Sequence, residues 1–261
     1  MSEPPILRDE VEPGIVRLTF NRPDKLNALS IPVMRALEAE VDRLEGEPST
    51  RVVILTGAGE RAFVAGADIA EYRGNRMREF IAFQTEGRRI FDKLEALPTP
   101  TIAAIKGYAL GGGFEIALCC DVIICAESAR LGLPEGLLGL CPGGGGTQRL
   151  TRAVGKHAAS DIMLAGRRIT GERAYALGLA AALCPEEALL ETALERARAM
   201  LKVAPQAQAA MKRLIREGAD GALPLALSFE QEALFRLYGA EDGQEGVAAF
   251  LDKRSPVFKG R

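Results

Sequence analysis

Tryptophan is absent from this chain, histidine occurs once, at His157, and the five cysteines form no Cys-x-x-Cys pair. A single histidine excludes a His-Glu-x-x-His zinc site and most other histidine-rich metal sites, so we expect no bound metal and a structural or solvent-facing His157. An odd number of cysteines without paired spacing is typical of a reduced, intracellular protein in which cysteine is a small core residue.

Several binding signatures are missing as well. The chain has neither Gly-x-Gly-x-x-Gly nor Gly-x₄-Gly-Lys-Ser/Thr, and it lacks the Gly-x-Ser-x-Gly nucleophile elbow. It also has no membrane-length apolar run, and its acidic, Pro-rich start is not a signal peptide. The formal net charge of −2 argues against a nucleic-acid partner. We therefore expect a cytoplasmic protein whose chemistry rests on carboxylates or backbone groups.

The patterns that are present predict an α/β protein. With 261 residues, of which 48% are apolar and 26% charged, the chain can bury a large core. The predicted strands lie at 15–20, 52–55, 101–105 and 122–125. The predicted helices lie at 30–44, 77–97, 114–120, 186–203, 205–216, 223–238 and 242–253. We divide the chain into an α/β core at 1–195 and an all-helical region at 196–261.

A glycine-rich segment, residues 107–118, holds the first candidate catalytic residue. Three consecutive glycines lead into a helix, whose first N–H groups have no partner inside the helix and favour an anionic oxygen. Glu115 is the only charge between Lys106 and Asp121, and such apolar surroundings raise the pKa of a carboxylate. The alternative is a glycine-packed helix start with Glu115 turned toward water, and the residues alone do not decide between them.

Two further segments carry isolated acids. Glu135 is the only charge within residues 131–140 and precedes a second glycine run, although an acid after Pro134 also suits an ordinary helix start. Asp68 follows a buried strand and either caps the next short helix or belongs to a functional loop.

Taken together, these segments resemble the signature motifs of the enoyl-CoA hydratase/isomerase (crotonase) superfamily. The motifs in this sequence are Asn21–Leu29, Arg61–Ile69, Ile105–Glu115, Leu133–Gly139 and Pro142–Leu150. Their order and spacing extend over nearly the whole chain. The resemblance implies a spiral of ββα repeats with a helical C-terminal trimerisation region, assembled as a homohexamer built from two trimers.

The resemblance also implies the chemistry. The backbone N–H groups of Ala67 and Gly112 match an oxyanion hole that holds the thioester oxygen of the substrate. Hydratases of this superfamily carry two glutamates, at the positions of Glu115 and Glu135. Glu115 would deprotonate the water that attacks C3, and Glu135 would supply the proton to C2. We therefore expect an enoyl-CoA hydratase that needs no cofactor, since coenzyme A is part of its substrate.

The same resemblance implies a set of coenzyme A contacts, of which Phe250 and Lys253 would reach over from a neighbouring subunit. They are Lys25, Leu26, Arg61, Ala65, Ala67, Asp68, Ile69, Ala70, Gly112, Phe250 and Lys253. At Ala70 the sequence departs from many relatives, which have lysine there. We expect residues 71–89 to line the acyl pocket.

Two alternatives remain. Another crotonase reaction, such as enoyl-CoA isomerisation, shares the oxyanion hole, but isomerases commonly keep only one of the two acids. An RNA-binding relative is the alternative from another class, since cations recur along the helical stretch 196–216. Surface charges at helical spacing are routine, however, and we expect a solvated helix face there.

Overall fold

The computed structural model of this protein describes residues 3–72, 74 and 76–261. In this part of the chain, ten strands and nine α-helices follow one another. The strands are β1 (Ile6–Glu12), β2 (Ile15–Phe20), β3 (Val52–Gly57), β4 (Ala62–Val64), β5 (Thr101–Ile105), β6 (Tyr108–Leu110), β7 (Val122–Ala126), β8 (Arg130–Gly132), β9 (Arg168–Thr170) and β10 (Ala182–Cys184). The helices are α1 (Ile31–Glu45), α2 (Met77–Ala96), α3 (Gly112–Cys119), α4 (Gly146–Leu164), α5 (Gly171–Ala176), α6 (Leu189–Leu201), α7 (Pro205–Gly218), α8 (Leu223–Tyr238) and α9 (Glu241–Leu251).

The strands form two sheets. A six-stranded sheet has the order β1-β2-β3-β5-β7-β10 and is parallel except for the β1–β2 hairpin. A four-stranded sheet has the order β4-β6-β8-β9 and is parallel except for the β8–β9 pair. The predicted α/β class is therefore confirmed.

The chain repeats one unit three times. A strand of the large sheet is followed by a short strand of the small sheet and then by a helix, as β3-β4-α2, β5-β6-α3 and β7-β8-α4. This is the expected succession of ββα repeats. Each turn of the spiral places the loop between its short strand and its helix at the same end of the small sheet, because those strands run parallel.

Apolar residues cover both faces of the large sheet, which explains its all-apolar strands. Val53 and Leu55 of β3 belong to the main core beside α1 and α2, whereas Val52 and Ile54 face the opposite cluster, which includes Ala193 of α6. Successive side chains of a strand point to opposite faces, so a strand covered on both sides needs no polar residue.

Helices alone follow β10, as predicted, within the part of the chain that the structure describes. The α8 bounds are those predicted, and α7 ends two residues later than predicted, at Gly218. The expected division at residues 195 and 196 lies inside α6, which packs on the large sheet. Helices α7 to α9 follow α6 in the chain. No helix in the described ranges combines the length and apolarity that a membrane span requires.

Candidate active site

The loop after β4 presents the backbone of Ala67 to a cavity. Leu29 N–H donates to the carbonyl of Gly66 at 2.8 Å, and Asp68 N–H donates to the carbonyl of Leu29 at 2.8 Å. In such a parallel bridge, the residue between the two bonded groups directs its own N–H to the opposite side. The N–H of Ala67 is therefore left out of the bridge, and Ala67 lines the cavity.

The start of α3 supplies a second backbone donor. Gly111 precedes the helix with φ 51° and ψ −126°, a conformation open to glycine alone, and Gly112 is the first helical residue. The first N–H groups of a helix have no intrahelical acceptor, so the Gly112 N–H is available. A Cβ added to Gly111 would lie 3.8 Å from the Cα of Gly66, which brings this turn against the Ala67 loop.

Glu115 points inward from α3 and is only 4% exposed, so the solvent-facing alternative is wrong. Its Oε1 accepts hydrogen bonds from the N–H groups of Gly144 and Gly146, both at 2.8 Å. Burial raises the pKa of Glu115, while these two N–H groups and the charge of Arg149 act in the opposite direction. The second oxygen, Oε2, accepts no hydrogen bond from the described residues.

Arg149 holds the glycine loop that holds Glu115. Its Nη1 donates to the carbonyl of Gly144 at 2.6 Å, while its Nε and Nη2 bind the carboxylate of Glu95 at 2.9 and 2.6 Å. Nη2 also binds Asp92 at 2.9 Å. Arg149 lies within the last predicted motif, but its bracing role was not predicted, because its partners are on the distant helix α2.

Glu135 lies beside the start of α3, in a 3-10 turn at Pro134–Leu138, and also lines the cavity. Its Oε1 is 3.0 Å from the position that a Cβ on Gly111 would occupy. Its Oε2 is buried and has no hydrogen-bonding partner among the described residues. Burial, and to a smaller extent the nearby charge of Glu115, raises the pKa of Glu135 to about 7.

One cavity of about 360 Å³ connects these groups. Its walls are mainly apolar side chains from α2 and from the loops after β4 and β8. The residues that line it include Leu29, Met34, Ala65, Gly66, Ala67, Ile69, Tyr72, Phe80, Phe83, Gln84, Gly87, Arg88, Phe91, Leu110, Gly111, Gly112, Glu115, Glu135, Leu138, Leu140 and Cys141. Six residues of the segment 71–89, which was expected to line the acyl pocket, line this cavity. Residues 73 and 75 of that segment lie outside the described residues.

The predicted coenzyme A contacts fall into two groups. Ala65, Ala67, Ile69 and Gly112 line the cavity. The others, which lie outside its lining, are Lys25, Leu26, Arg61, Asp68, Ala70, Phe250 and Lys253.

Within the second group, the Leu26 carbonyl accepts a hydrogen bond from the N–H of Ala65 at 3.0 Å, so this residue is tied to the cavity loop. The carboxylate of Asp68 pairs with Arg22 at 3.2 Å, which couples two of the predicted motifs instead of capping a helix. Phe250, in the last helix, is 83% exposed.

Most of the cations within residues 196–216, which suggested the RNA-binding alternative, form ion pairs with acidic side chains. Arg198 binds Glu12 at 2.6 Å, and Lys212 binds Asp121 at 2.7 Å. Arg213 and Arg216 both pair with Glu217. His157 is exposed in α4, away from the cavity. No group of three or more histidine, cysteine, aspartate or glutamate side chains among the described residues is arranged to hold a metal ion.

The burial of Glu135 leads to a prediction about stability. Its pKa is about 7 in the folded protein against an ordinary 4.5, so the folded state binds this proton more tightly. The stability of the fold therefore falls as the pH rises from about 4.5 to about 7, the interval in which the unfolded chain has lost this proton and the folded protein still holds it, and the loss is constant above about 7. The difference in pKa corresponds to about 3 kcal/mol, which partial exposure reduces to about 2 kcal/mol. We expect Glu135→Gln to raise the free energy of unfolding by this amount at pH 8.5.

Urea titrations at pH 8.5 and pH 4 measure this effect. The gain of Glu135→Gln should almost vanish at pH 4, where the wild-type side chain is neutral in the folded state and mostly neutral in the unfolded state. Glu187→Gln, which changes an exposed glutamate, is the control and should be neutral at both values. A Glu135→Gln variant less stable than the wild type at pH 8.5 would show that the carboxylate is stabilised where it lies.

Comparisons with known proteins agree on one family. The model for the enoyl-CoA hydratase/isomerase family matches residues 10–261. The 2,3-dehydroadipyl-CoA hydratase of Escherichia coli is 41% identical over 248 residues, covering 95% of this chain and 96% of that protein. The short-chain-enoyl-CoA hydratase of Clostridium acetobutylicum is 39% identical over 253 residues, covering 97% of each. The crystal structure of an enoyl-CoA hydratase from Bacillus anthracis has a TM-score of 0.95 at 40% identity, covering 98% of this chain and 100% of that one. This chain belongs to the enoyl-CoA hydratase/isomerase family.

Proposed function

We propose that this protein is an enoyl-CoA hydratase, a hydro-lyase that adds water reversibly across the C2–C3 double bond of a 2-enoyl-CoA to give a 3-hydroxyacyl-CoA. The observation that supports this function most strongly is that two largely buried carboxylates, Glu115 and Glu135, line one apolar cavity beside two available backbone donors. Isomerisation needs only one of these acids, so the pair favours hydration.

In this mechanism the N–H groups of Ala67 and Gly112 receive the thioester oxygen. Attack of water at C3 moves electron density onto that oxygen, which gains the character of an enolate. Donors fixed by the fold stabilise such a charge without reorganising, which makes them worth more than water molecules. Neither donor requires a side chain, which suits alanine and glycine at these positions.

The two glutamates differ in how they are held, and this supports different roles. The Gly144 and Gly146 N–H groups favour the ionised form of Glu115 and leave its Oε2 to orient and deprotonate the attacking water. The pKa of Glu135, about 7, lets it deliver a proton to C2 near neutral pH. Both acids act on one transition state, and one water molecule between the two carboxylates can pass a proton from one to the other. We call this arrangement the shared-water picture.

The coenzyme would extend from the cavity along the loop at 65–70 toward the exposed side chains of Lys25 and Arg61. Their positive charges suit the phosphates of the coenzyme. Alanine at position 70 removes one cation from this path. We assign no further cofactor to the reaction, because general acid–base catalysis with an oxyanion hole is sufficient for hydration.

We also propose that residues 196–261 form an oligomerisation region, as expected for a hexamer of two trimers. Helix α8 has no buried residue in the isolated chain, and Phe229 and Phe235 are exposed on it. Exposed aromatic and aliphatic side chains on one helix are typical of a face that another subunit covers. Phe250 and Lys253 would then complete the coenzyme site of a neighbour.

Hydration of crotonyl-CoA tests the proposed function. We expect the purified protein to consume the conjugated enoyl thioester and to form 3-hydroxybutyryl-CoA, at a rate unchanged by a chelator or by nicotinamide nucleotides. The loss of enoyl absorbance and the mass of the product, larger by one water, are the measurements. A product of unchanged mass with a migrated double bond would identify an isomerase, and loss of activity with a chelator, restored by metal, would contradict the mechanism.

A further inference from the structure

Besides Glu115 and Glu135, three polar side chains interrupt the apolar wall of the cavity, and we call these three, Tyr72, Gln84 and Arg88, the donor strip. Gln84 and Arg88 are one turn apart on α2, so they share a face of that helix. The amide of Gln84 donates from Nε2 to the hydroxyl of Tyr72 at 3.0 Å. The mechanism proposed above gives these side chains no contact with C2 or C3, and the charge of Arg88 acts there only from a distance, by opposing the rise in the pKa of Glu115.

The hydroxyl of Tyr72 has a proton to give. Because its oxygen already accepts the bond from Gln84, its single O–H is left as a donor. Burial raises the pKa of Tyr72, so the hydroxyl keeps this proton at neutral pH. Edge-to-face contacts with the rings of Phe80 and Phe83, at centroid distances of 5.4 and 5.7 Å, fix the tyrosine ring in the wall.

Arg88 contributes a charge and unused donors. Its Nε donates to both oxygens of Asp92, at 2.8 and 2.9 Å. Its two Nη groups have no hydrogen-bonding partner among the described residues. Asp92 also accepts a bond from Arg149 at 2.9 Å, so its negative charge is divided between two guanidinium groups. The planar fork of arginine matches the two oxygens of a carboxylate.

Glycine at position 87 keeps the space between Gln84 and Arg88 open. Gly87 lies inside the 20-residue helix α2, where glycine is less favourable than alanine by about 1 kcal/mol. Its backbone does not require glycine, and a Cβ there would make only an ordinary contact of 3.8 Å with Met34. Packing therefore does not explain this glycine, whereas an acyl chain running along α2 would use the room that it leaves.

We propose that the donor strip binds a carboxylate at the distal end of the acyl chain, so that the preferred substrate is the 2-enoyl-CoA thioester of a dicarboxylic acid. This inference rests on the hydratase function proposed above. All three side chains offer hydrogen-bond donors, and the only one with a permanent charge is a cation. A chain that ends in a methyl group would cover these donors without replacing the water that binds them, which is how a polar site rejects an apolar analogue.

Two thioesters of equal length test the proposal: 2-hexenoyl-CoA, and its analogue in which C6 is a carboxylate. We expect the wild type to hydrate the carboxylated thioester with a kcat/KM at least about 10-fold higher. Arg88→Met should reduce this preference, the ratio of the two kcat/KM values, by about 10-fold, the lower end for a lost charge-assisted hydrogen bond because the side chain is half exposed. An effect of the substitution on both thioesters alike leaves this ratio unchanged. Tyr72→Phe should reduce the preference by about 5-fold, since its bond is neutral.

The neighbouring residue provides a matched control. Arg89 is on the same helix but outside the cavity lining, where it pairs with Glu38 at 2.5 Å, so Arg89→Met should keep the preference of the wild type. Calorimetric titration with the two saturated analogues, hexanoyl-CoA and the CoA thioester of hexanedioic acid, measures the same discrimination without turnover.

Each remaining outcome is decisive. Equal kcat/KM values for the two thioesters in the wild type would overturn the donor strip while leaving the hydratase function intact. Equal losses from Arg88→Met on both thioesters would show that this residue has only a structural role, which also overturns the proposal. If neither thioester is hydrated, the proposed function itself fails, and the substrate class fails with it.

Discussion

Replacing Glu115 by glutamine is expected to lower kcat by about 10²–10⁴-fold, and Glu135→Gln is expected to have an effect of similar size. Glutamine keeps the shape of the side chain but can neither take up nor release a proton. At position 115 the amide oxygen can still accept from the Gly144 and Gly146 N–H groups, so the loop should remain in place. The loss therefore reports on proton transfer instead of folding.

The double variant separates a shared mechanism from two independent ones. Because both acids act on one transition state, removing the second should cause much less than the product of the single losses. Steady-state kinetics with crotonyl-CoA measure all three variants, with Glu187→Gln as the control and circular dichroism as the check on folding. Multiplicative losses would show that the carboxylates act independently, and the shared-water picture would then fail.

The two acids could be singled out as candidates because the sequence isolates them, and the family resemblance then gave them their predicted roles. Glu115 and Glu135 each stand alone among apolar residues and glycines, and buried charges of this kind are rare without a function. What the residues alone did not decide was the direction of Glu115. The deciding contacts come from Gly144 and Gly146, about thirty residues further along the chain, and no local pattern contains them.

The large sheet was predicted correctly in its central strands, whereas the small sheet was missed. Strands β4, β6, β8 and β9 have three residues each, too few for an alternating pattern to stand out from a loop. β4 lies within the motif Arg61–Ile69, for which no strand was predicted. The missing strands matter for the site, because the pairing of β4 with β6 brings the Ala67 loop beside the start of α3.

Hairpin strand β1 was also missed, because its acidic residues hide a strand pattern. Only Ile6 of β1 is buried, so its burial does not alternate, and Arg8 is satisfied by ion pairs with Glu40 and Glu47. The donor strip was not predicted either, because no local pattern in the sequence identifies it. A helical pattern at 77–97 predicts α2 but does not say which of its faces borders a cavity. Tyr72 lies outside that pattern and joins this face through its bond to Gln84 and its ring contacts with Phe80 and Phe83.

Gly112→Pro is expected to lower kcat by at least about 10²-fold, the usual result of losing one oxyanion donor. Proline removes the N–H, and the first position of a helix is where proline is best tolerated, since its N–H has no intrahelical partner. The position also adds a steric effect, because a Cβ at Gly112 would lie 2.9 Å from Cδ1 of Leu29, the end of a flexible side chain. The steric effect and the loss of the donor must be separated.

Gly112→Ala makes this separation, because it introduces the same Cβ but keeps the N–H. We expect alanine to lower kcat by no more than about 10-fold through displacement of Leu29, so that proline is at least about 10-fold worse than alanine. Sedimentation and circular dichroism establish that both variants fold and assemble as the wild type does. If the folded alanine and proline variants have the same kcat, the N–H of Gly112 does not bind the thioester oxygen, and the donor must be sought elsewhere along the cavity. If alanine retains activity and proline does not, the difference between two variants that share a Cβ isolates one hydrogen bond to the transition state.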